Sequence, residues 1–418
     1  MLSAVVVLLV LALFGLPLFA AIGAGSLLYA YQSDLDPALL IVELNRLASS
    51  PNLVTIPLFT LAGVVLAAGG APQRLIRLFN ALLGWLPGGL AIVAIAACAF
   101  FTSFSGASGV TILALGGLLY PVLNKVNYPE RFNLGLLTTS GSLGLLFPPS
   151  LAILLYGIVS GVNIDQLFVA GILPGLVLMF MLGVYAALTG KRFRVHHHPF
   201  AWHVALRALR SAFGDILLPV LIIVGIFGGF VTVSEAAACT ALYVLVLEAF
   251  IHKSIALRQQ LGELLADTAM LVGSILIILG VAMGLTNLMI DAQLPLRLLE
   301  AMQTNIHSQL GFLIVLNVFL LAVGAMMDIF SATIVIVPLL LPLAQRFGVD
   351  PVHLGIIFLA NLEIGYSTPP VGINLFIASQ RFEKPVLSLF RATLPFLGLM
   401  LIWLVIVTYV PELSLWWR

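Results

Sequence analysis

The sequence predicts an all-α polytopic membrane protein built as an inverted repeat, with a re-entrant helical hairpin and a broken helix in each half. Three observations carry this. The 418 residues are 61% hydrophobic and 8% charged, where a soluble domain carries about 25% charged residues. Several apolar runs exceed the ~18–20 residues needed to cross a bilayer. A shift of 221 positions also superposes the helix breakers. Pro121, Pro148, Pro149 and Pro174 fall on Pro342, Pro369, Pro370 and Pro395, and Gly144 falls on Gly365. Breakers at matching places in two halves mark a duplicated core.

In chain order, nine segments read as crossings: 2–31, 52–69, 130–158, 165–189, 215–232, 234–252, 269–290, 353–380 and 386–410. The first is long and has no basic start, so it reads as a retained helix rather than a cleaved signal. Residues 91–104 and 109–122 are legs of about 14 residues, or about 21 Å each, separated by Ser105-Gly106-Ala107-Ser108. Residues 311–325 and 332–343 repeat that design around Met326–Ser331. Legs this short fit hairpins that enter and leave on one side. Irregular backbone at membrane depth persists only where protein or a polar cavity satisfies it. Residues 71–83 and 293–306 have mixed faces suited to arms in the interface plane. The crossing 215–232 is the extra one that links the halves.

Basic residues gather on the cytoplasmic side of a membrane protein. With the N-terminus inside, the nine crossings leave only Arg46, Arg297, Arg346 and Arg418 outside, and put the other fourteen of the 18 Lys and Arg inside. The C-terminus is then periplasmic. Five crossings separate the hairpins, so the second repeat is inverted relative to the first. Net charge is +1, which excludes a bulk electrostatic pull toward nucleic acid. Cys98 and Cys239 both lie in apolar segments and form no disulfide framework. His196-His197-His198 stands in the basic loop 190–213 with no acidic or cysteine companion there, and reads as solvated loop with metal binding as the alternative.

No phosphate-binding loop is present: Gly190-Lys191 is followed by Arg192, not Ser or Thr. Uphill movement of a solute would draw on an ion gradient or a partner. A broken helix exposes N–H groups at one half-helix end and C=O groups at the other. The first attracts anions; the second, with Ser and Thr hydroxyls, can wrap a small hard cation such as sodium. The first-half candidates for sodium are Ser103, Ser105, Gly106, Ser108, Gly144 and Pro148, with Gly141 beside them. The second-half set is Gly324, Asp328, Ser331, Gly365, Thr368 and Pro369. Ser142, Ser150, Thr333, Ser367 and Asn374 are the candidates for substrate contact. For any one Ser or Gly, close helix packing is the competing role. Asp328 is a cation ligand, a proton carrier or a cap on its own hairpin; the first half has Ala107 in its place. Glu235 and Glu363 are further acidic candidates, each expected near a polar surface at a helix end. No Lys or Arg lies in either tip or break, so an anion would be held by half-helix N-termini, hydroxyls, Asn374 and bound cations.

The runs IPLFTLAG (56–63), FTSFSGASGVT, GSLGLLFPPS and MDIFSATIVIVPLLLP…GYSTPPVGINLF together resemble the DctM-like large membrane subunit of tripartite ATP-independent periplasmic (TRAP) transporters. The resemblance covers essentially the whole chain. It implies a sodium-driven importer of organic acids, typically C4-dicarboxylates or sugar acids, in the bacterial inner membrane. It also implies two partners, a periplasmic substrate-binding protein and a small membrane subunit with four helices, the latter expected on a separate chain. The implied fold is of elevator type, with a transport domain formed by 91–189 and 311–396 moving against a scaffold. The scaffold then comprises 1–90 with the first arm and 190–310 with the basic loop and second arm, and 397–418 ends the last helix. Sodium is the coupling ion, and no organic cofactor is implied. A free-standing sodium- or proton-coupled anion symporter is the alternative. An intramembrane enzyme is a remote one, since it needs a nucleophile with a base in reach and embedded histidine is nearly confined to His353. A purely structural membrane partner would need no repeated polar breaks.

Overall fold

The computed structural model of the chain describes residues 18–32, 51–126, 128–193, 200–291 and 308–418, plus the isolated positions 7, 16, 38, 42, 45 and 195. No strand occurs among the described residues. Leu18–Gln32 (α1) and Thr55–Ala68 (α2) come first, and Ala71–Leu83 (α3) leaves α2 at a 73° bend. Gly89–Ser105 (α4) and the continuous pieces Ser108–Thr111, Ile112–Gly116 and Gly117–Lys125 (together α5, π-wound in the middle) make the first hairpin. Glu130–Ser140 (α6) and Leu151–Ser160 (α7) form the first broken helix around a 3-10 turn at Leu143–Leu146, and Ile164–Arg192 (α8) follows. Trp202–Phe227 (α9), Val233–Val246 continuing through the π turn Leu247–Ile251 (α10) and Leu257–Asp291 (α11) lie between the halves' hairpins. The second hairpin is Gln309–Met326 (α12) with Ile329–Arg346 (α13). The second broken helix is Pro351–Gly365 (α14) with Ile373–Phe382 (α15), and Val386–Tyr409 (α16) closes the set.

The repeat is visible in the helix ends themselves. Adding 221 to 108–125 gives 329–346, the span of α13. The same shift carries α4 to within one residue of α12, starts α6 where α14 starts, and sets α7 and α8 on α15 and α16. Both breaks contain a cis Pro-Pro bond, Pro148-Pro149 and Pro369-Pro370. Local chemistry fixes the starts. Asn163 accepts from Asp165 N at 2.9 Å to open α8, and Asp350 accepts from Val352 N at 2.8 Å to open α14, where Pro351 needs no partner for its missing N–H. Thr232 and Glu235 form a reciprocal capping box at α10.

Two expectations change. The hairpin legs are longer than 14 residues: α4 has 17, and α12 and α13 have 18 each. At the first tip Ser105 stays in the helix, whose last turn Gly106 N closes onto Thr102 O at 2.9 Å. The basic loop 190–213 is also mostly helix, since α8 runs to Arg192 and α9 starts at Trp202. Arg207 and Arg210 are good helix formers and do not stop the turn. Residues 2–6, 8–15 and 17 of segment 2–31, His196–His198 and the second arm 293–306 lie outside the described residues.

Packing interleaves the halves. Each outgoing leg packs on its own half's break, α4 on residues 143–146 and α12 on α14. Each returning leg packs on the other half's second half-helix, α13 on α7 and α5 on α15. Meanwhile α2 packs on α10 and α11, and α3 packs on α4 and α9. The first arm, whose mixed faces suit the interface plane, turns Arg74 inward. Arg74 is 5% exposed, and its guanidinium binds Asp215 of α9 at 2.6 and 2.8 Å and Glu248 of α10. Gly70 N and the Ser254 hydroxyl complete the Glu248 carboxylate.

Candidate functional site

At the first tip α4 ends at Ser105, and Gly106 takes φ +65°, a left-handed conformation that a side chain resists. Thr102 Oγ1 donates to Gly141 O at 2.8 Å and accepts from Thr111 Oγ1 at 2.7 Å, clamping both legs to the break. Ser105 Oγ lies 3.4 Å from Thr111 Oγ1. Gly144 backs directly onto α4: a Cβ there would sit 2.3 Å from Ala99 O and 2.4 Å from Ser103 N. Its carbonyl accepts from Phe147 N at 3.1 Å. Ser142 donates to Thr139 O at 3.1 Å, while the buried Ser150 hydroxyl has no partner. Pro148 and Ser103 line a cavity of about 270 Å³ that Phe100, Phe147, Pro219 and Ile223 also face.

The second half repeats the backbone contact. Gly365 backs onto Gly324, where a Cβ on Gly365 would lie 2.3 Å from Gly324 C, and Gly324 stands where Ser103 stands in the first half. Val371 N and Gly372 N donate to Ala325 O at 3.1 and 3.2 Å. Asp328 Oδ1 accepts from Phe330 N and Ser331 N, both at 3.0 Å, and so caps α13. Ile329 N donates to Tyr366 OH at 2.5 Å. Thr333 and Thr368 donate to Ile329 O and Ile364 O, one turn back on their own helices. Ser331 is buried, and the Ser367 hydroxyl is fully buried without a partner.

One side-chain contact joins the two sets. Ser108 Oγ, at the first tip, donates to Asn374 Oδ1 of the second break at 2.7 Å. The Asn374 amide nitrogen is then buried with no acceptor. Glu363 was expected near a polar surface, yet it is 0% exposed and neither carboxylate oxygen has a partner. Glu235 is exposed and committed to its capping box. His353 is held by Ser414 Oγ and Thr408 O, both at 3.2 Å. In the loop after α15, Lys384 lies 2.7 Å from Glu130, whose carboxylate raises the lysine above its ordinary pKa. Among the described residues no group of three or more His, Cys, Asp or Glu converges as a metal site. The oxygen-rich tips and breaks offer hydroxyls and carbonyls instead, the donors that hard cations take.

The residues 5–413 match the family model described as "Tripartite ATP-independent periplasmic transporter, DctM component". The chain belongs to the DctM family. A DctM relative, the C4-dicarboxylate TRAP transporter large permease protein of Vibrio cholerae, is 34% identical over 96% of this chain and 94% of its own length. The ectoine TRAP transporter large permease TeaC of Halomonas elongata is 31% identical over 91% of this chain and 89% of its own. The YdaH transporter of Alcanivorax borkumensis, a solved structure of unusual topology, superposes with a TM-score of 0.61 at 14% identity, covering 99% of each chain. That likeness is one of fold. As a DctM protein, the chain is a multi-pass membrane permease of a system that also uses a small membrane subunit and a periplasmic binding protein.

Reading residues in order missed several groups now seen at the site. Thr102, Thr111 and Tyr366 tie tips to breaks; Gly63 of α2 seats the first tip, since a Cβ there would lie 2.4 Å from Phe104 O. The repeat offers one signal for Gly63, because position 284 is also glycine. Nothing local pairs Arg74 with Asp215, 141 residues away.

Proposed function

We propose that this chain is the translocating subunit of a sodium-driven importer of small organic acids, C4-dicarboxylates or sugar acids, taken from a periplasmic binding protein. A separate small subunit of four helices braces it. The observation that carries this reading is the meeting of Ser108 and Asn374, which sets an unpaired amide donor between the first tip and the second break. A buried donor without an acceptor is costly, and a carboxylate oxygen of a substrate satisfies it. Charge on that substrate is balanced by sodium ions at the two tip-and-break pairs, one with Ser103, Ser105, Gly106, Ser108, Gly144 and Pro148, the other with Gly324, Asp328, Ser331, Gly365, Thr368 and Pro369. Ser142, Ser150, Thr333 and Ser367 border the same region. Residues 91–189 and 311–396 move as one body in an elevator cycle, with the N-terminus cytoplasmic and the C-terminus periplasmic.

The test is uptake of labelled dicarboxylates and sugar acids into proteoliposomes holding the chain and its small subunit. Uptake that requires both an inward sodium gradient and the binding protein is expected. Uptake with sodium alone would instead make it a free-standing symporter.

A further inference from the structure

The arm α3 and the helix α9 pack together, and between them they carry four arginines and a single acid. That acid, Asp215, is taken by Arg74. Arg77, Arg207 and Arg210 therefore have no counter-charge on either helix. Arg77 Nε donates to Gln73 O of its own helix at 3.2 Å. Among the described residues Arg207 forms no ion pair or hydrogen bond.

From the Arg74–Asp215 pair toward Trp85 and Phe200, the two helices line a cavity of about 430 Å³. Arg77 and Arg207 both line it, with Asn80 and Ser211 as neutral polar neighbours, and none of its lining residues is acidic. Trp85 and Phe200 belong to the same wall and are about half exposed. Trp85 spends its indole N–H on Leu82 O at 2.8 Å, so its ring is left as apolar surface. Two guanidinium groups free of carboxylates suit a phosphate by charge and by their fork of donors. Aromatic rings beside an amphipathic arm mark headgroup depth in a bilayer. Basic pockets between membrane helices take anionic lipid headgroups. Inorganic phosphate would use the arginines alone, whereas a lipid also covers the exposed rings with its glycerol and first acyl carbons.

We propose that the cleft between α3 and α9 binds the phosphate headgroup of an anionic phospholipid, held by Arg77 and Arg207 against Trp85 and Phe200. In the orientation proposed above, this lipid belongs to the cytoplasmic leaflet. It fastens the far end of the arm to α9, as the Arg74–Asp215 pair fastens its start.

The experiment uses the complex of this chain with its small subunit, purified in detergent. Its unfolding midpoint is followed as phosphatidylglycerol is added to the micelles. Phosphatidylcholine of the same acyl chains and inorganic phosphate at equal ionic strength are the controls. Binding to the folded state raises the midpoint with ligand concentration. The wild type is expected to show a saturable rise with phosphatidylglycerol and little response to either control. Changing Arg77→Gln and Arg207→Gln together is expected to raise the lipid concentration for half-maximal effect about tenfold or more. Arg210→Gln removes a charge from α9 outside the cavity and is expected to leave the response as in wild type. Equal responses to the two lipids, or a double variant that responds like wild type, overturn the site. An Arg210→Gln effect as large as that of the pair overturns it too, since surface charge alone then suffices. A response to inorganic phosphate equal to that to phosphatidylglycerol makes the cleft a soluble-anion site and overturns the lipid. Loss of the small subunit from the double variant on gel filtration makes the cleft a protein contact and likewise overturns it. If the double variant does not fold, Arg207→Gln alone decides: a weakened response to phosphatidylglycerol supports the site, and an unchanged one overturns it.

Discussion

Among the described residues, the hairpin tip of the first half is covered and that of the second half is more exposed. Ser105 is 8% exposed, with Gly63 of α2 against the neighbouring backbone, and Pro148 is buried. Met326 is 62% exposed and Val371 40%, and Pro369 is exposed too. Backbones that superpose by a simple shift thus sit in different surroundings. Duplication fixed the helices and their breaks, while the helices packed beside each tip, such as α2 at the first, set how far it is exposed.

Thiol labelling gives the largest contrast. With the exposed native Cys239 replaced by serine, Met326→Cys and Val371→Cys are expected to react readily with a water-soluble maleimide, and Ser105→Cys to stay largely unmodified. Equal rates at both tips would break the comparison.

Next comes the anchor at Arg74. Position 295, equivalent to it by the shift, is proline. Arg74→Ala leaves Asp215 and Glu248 buried and unpaired, and is expected to cost about 3–5 kcal/mol, read as a lowered unfolding midpoint. Adding Asp215→Asn and Glu248→Gln should restore part of it.

The shared backbone contact should behave alike in both halves. Gly144→Ala and Gly365→Ala each press a methyl onto backbone. Each is expected to cost about 1–3 kcal/mol and to lower uptake, and a large difference between them would show that one break is looser.

The smallest effect is at Asp328, which stands where the first tip has Ala107. Asp328→Ala removes a helix cap worth about 1 kcal/mol. Asp328→Asn keeps a capping oxygen and should unfold near the wild-type midpoint.

What sequence reveals here follows from how local each cause is. Breakers and apolar runs act on their own neighbours, so the hairpins, the breaks and the first arm were legible. Leg lengths were not, because Ser105 reads as an ending and Gly89 as a poor helix residue, yet both belong to α4. The start of α9 was hidden by Arg207 and Arg210, which signal a loop by charge yet favour helix. Glu363 looked peripheral because it sits near a helix end, but that end is a break inside the protein. The Arg74 cluster and the Ser108–Asn374 contact depend on partners 141 to 266 residues apart, and only the folded chain brings them together.

The Ser108–Asn374 bond also carries a mark of history. The residue equivalent to Ser108 is Ile329, and the one equivalent to Asn374 is Ile153. A symmetric pair of first halves would set Ser against Ile twice, and a pair of second halves would set Ile against Asn twice. Neither symmetric pairing holds the bond, so as they stand the two halves are mates rather than twins, not exchangeable one for the other.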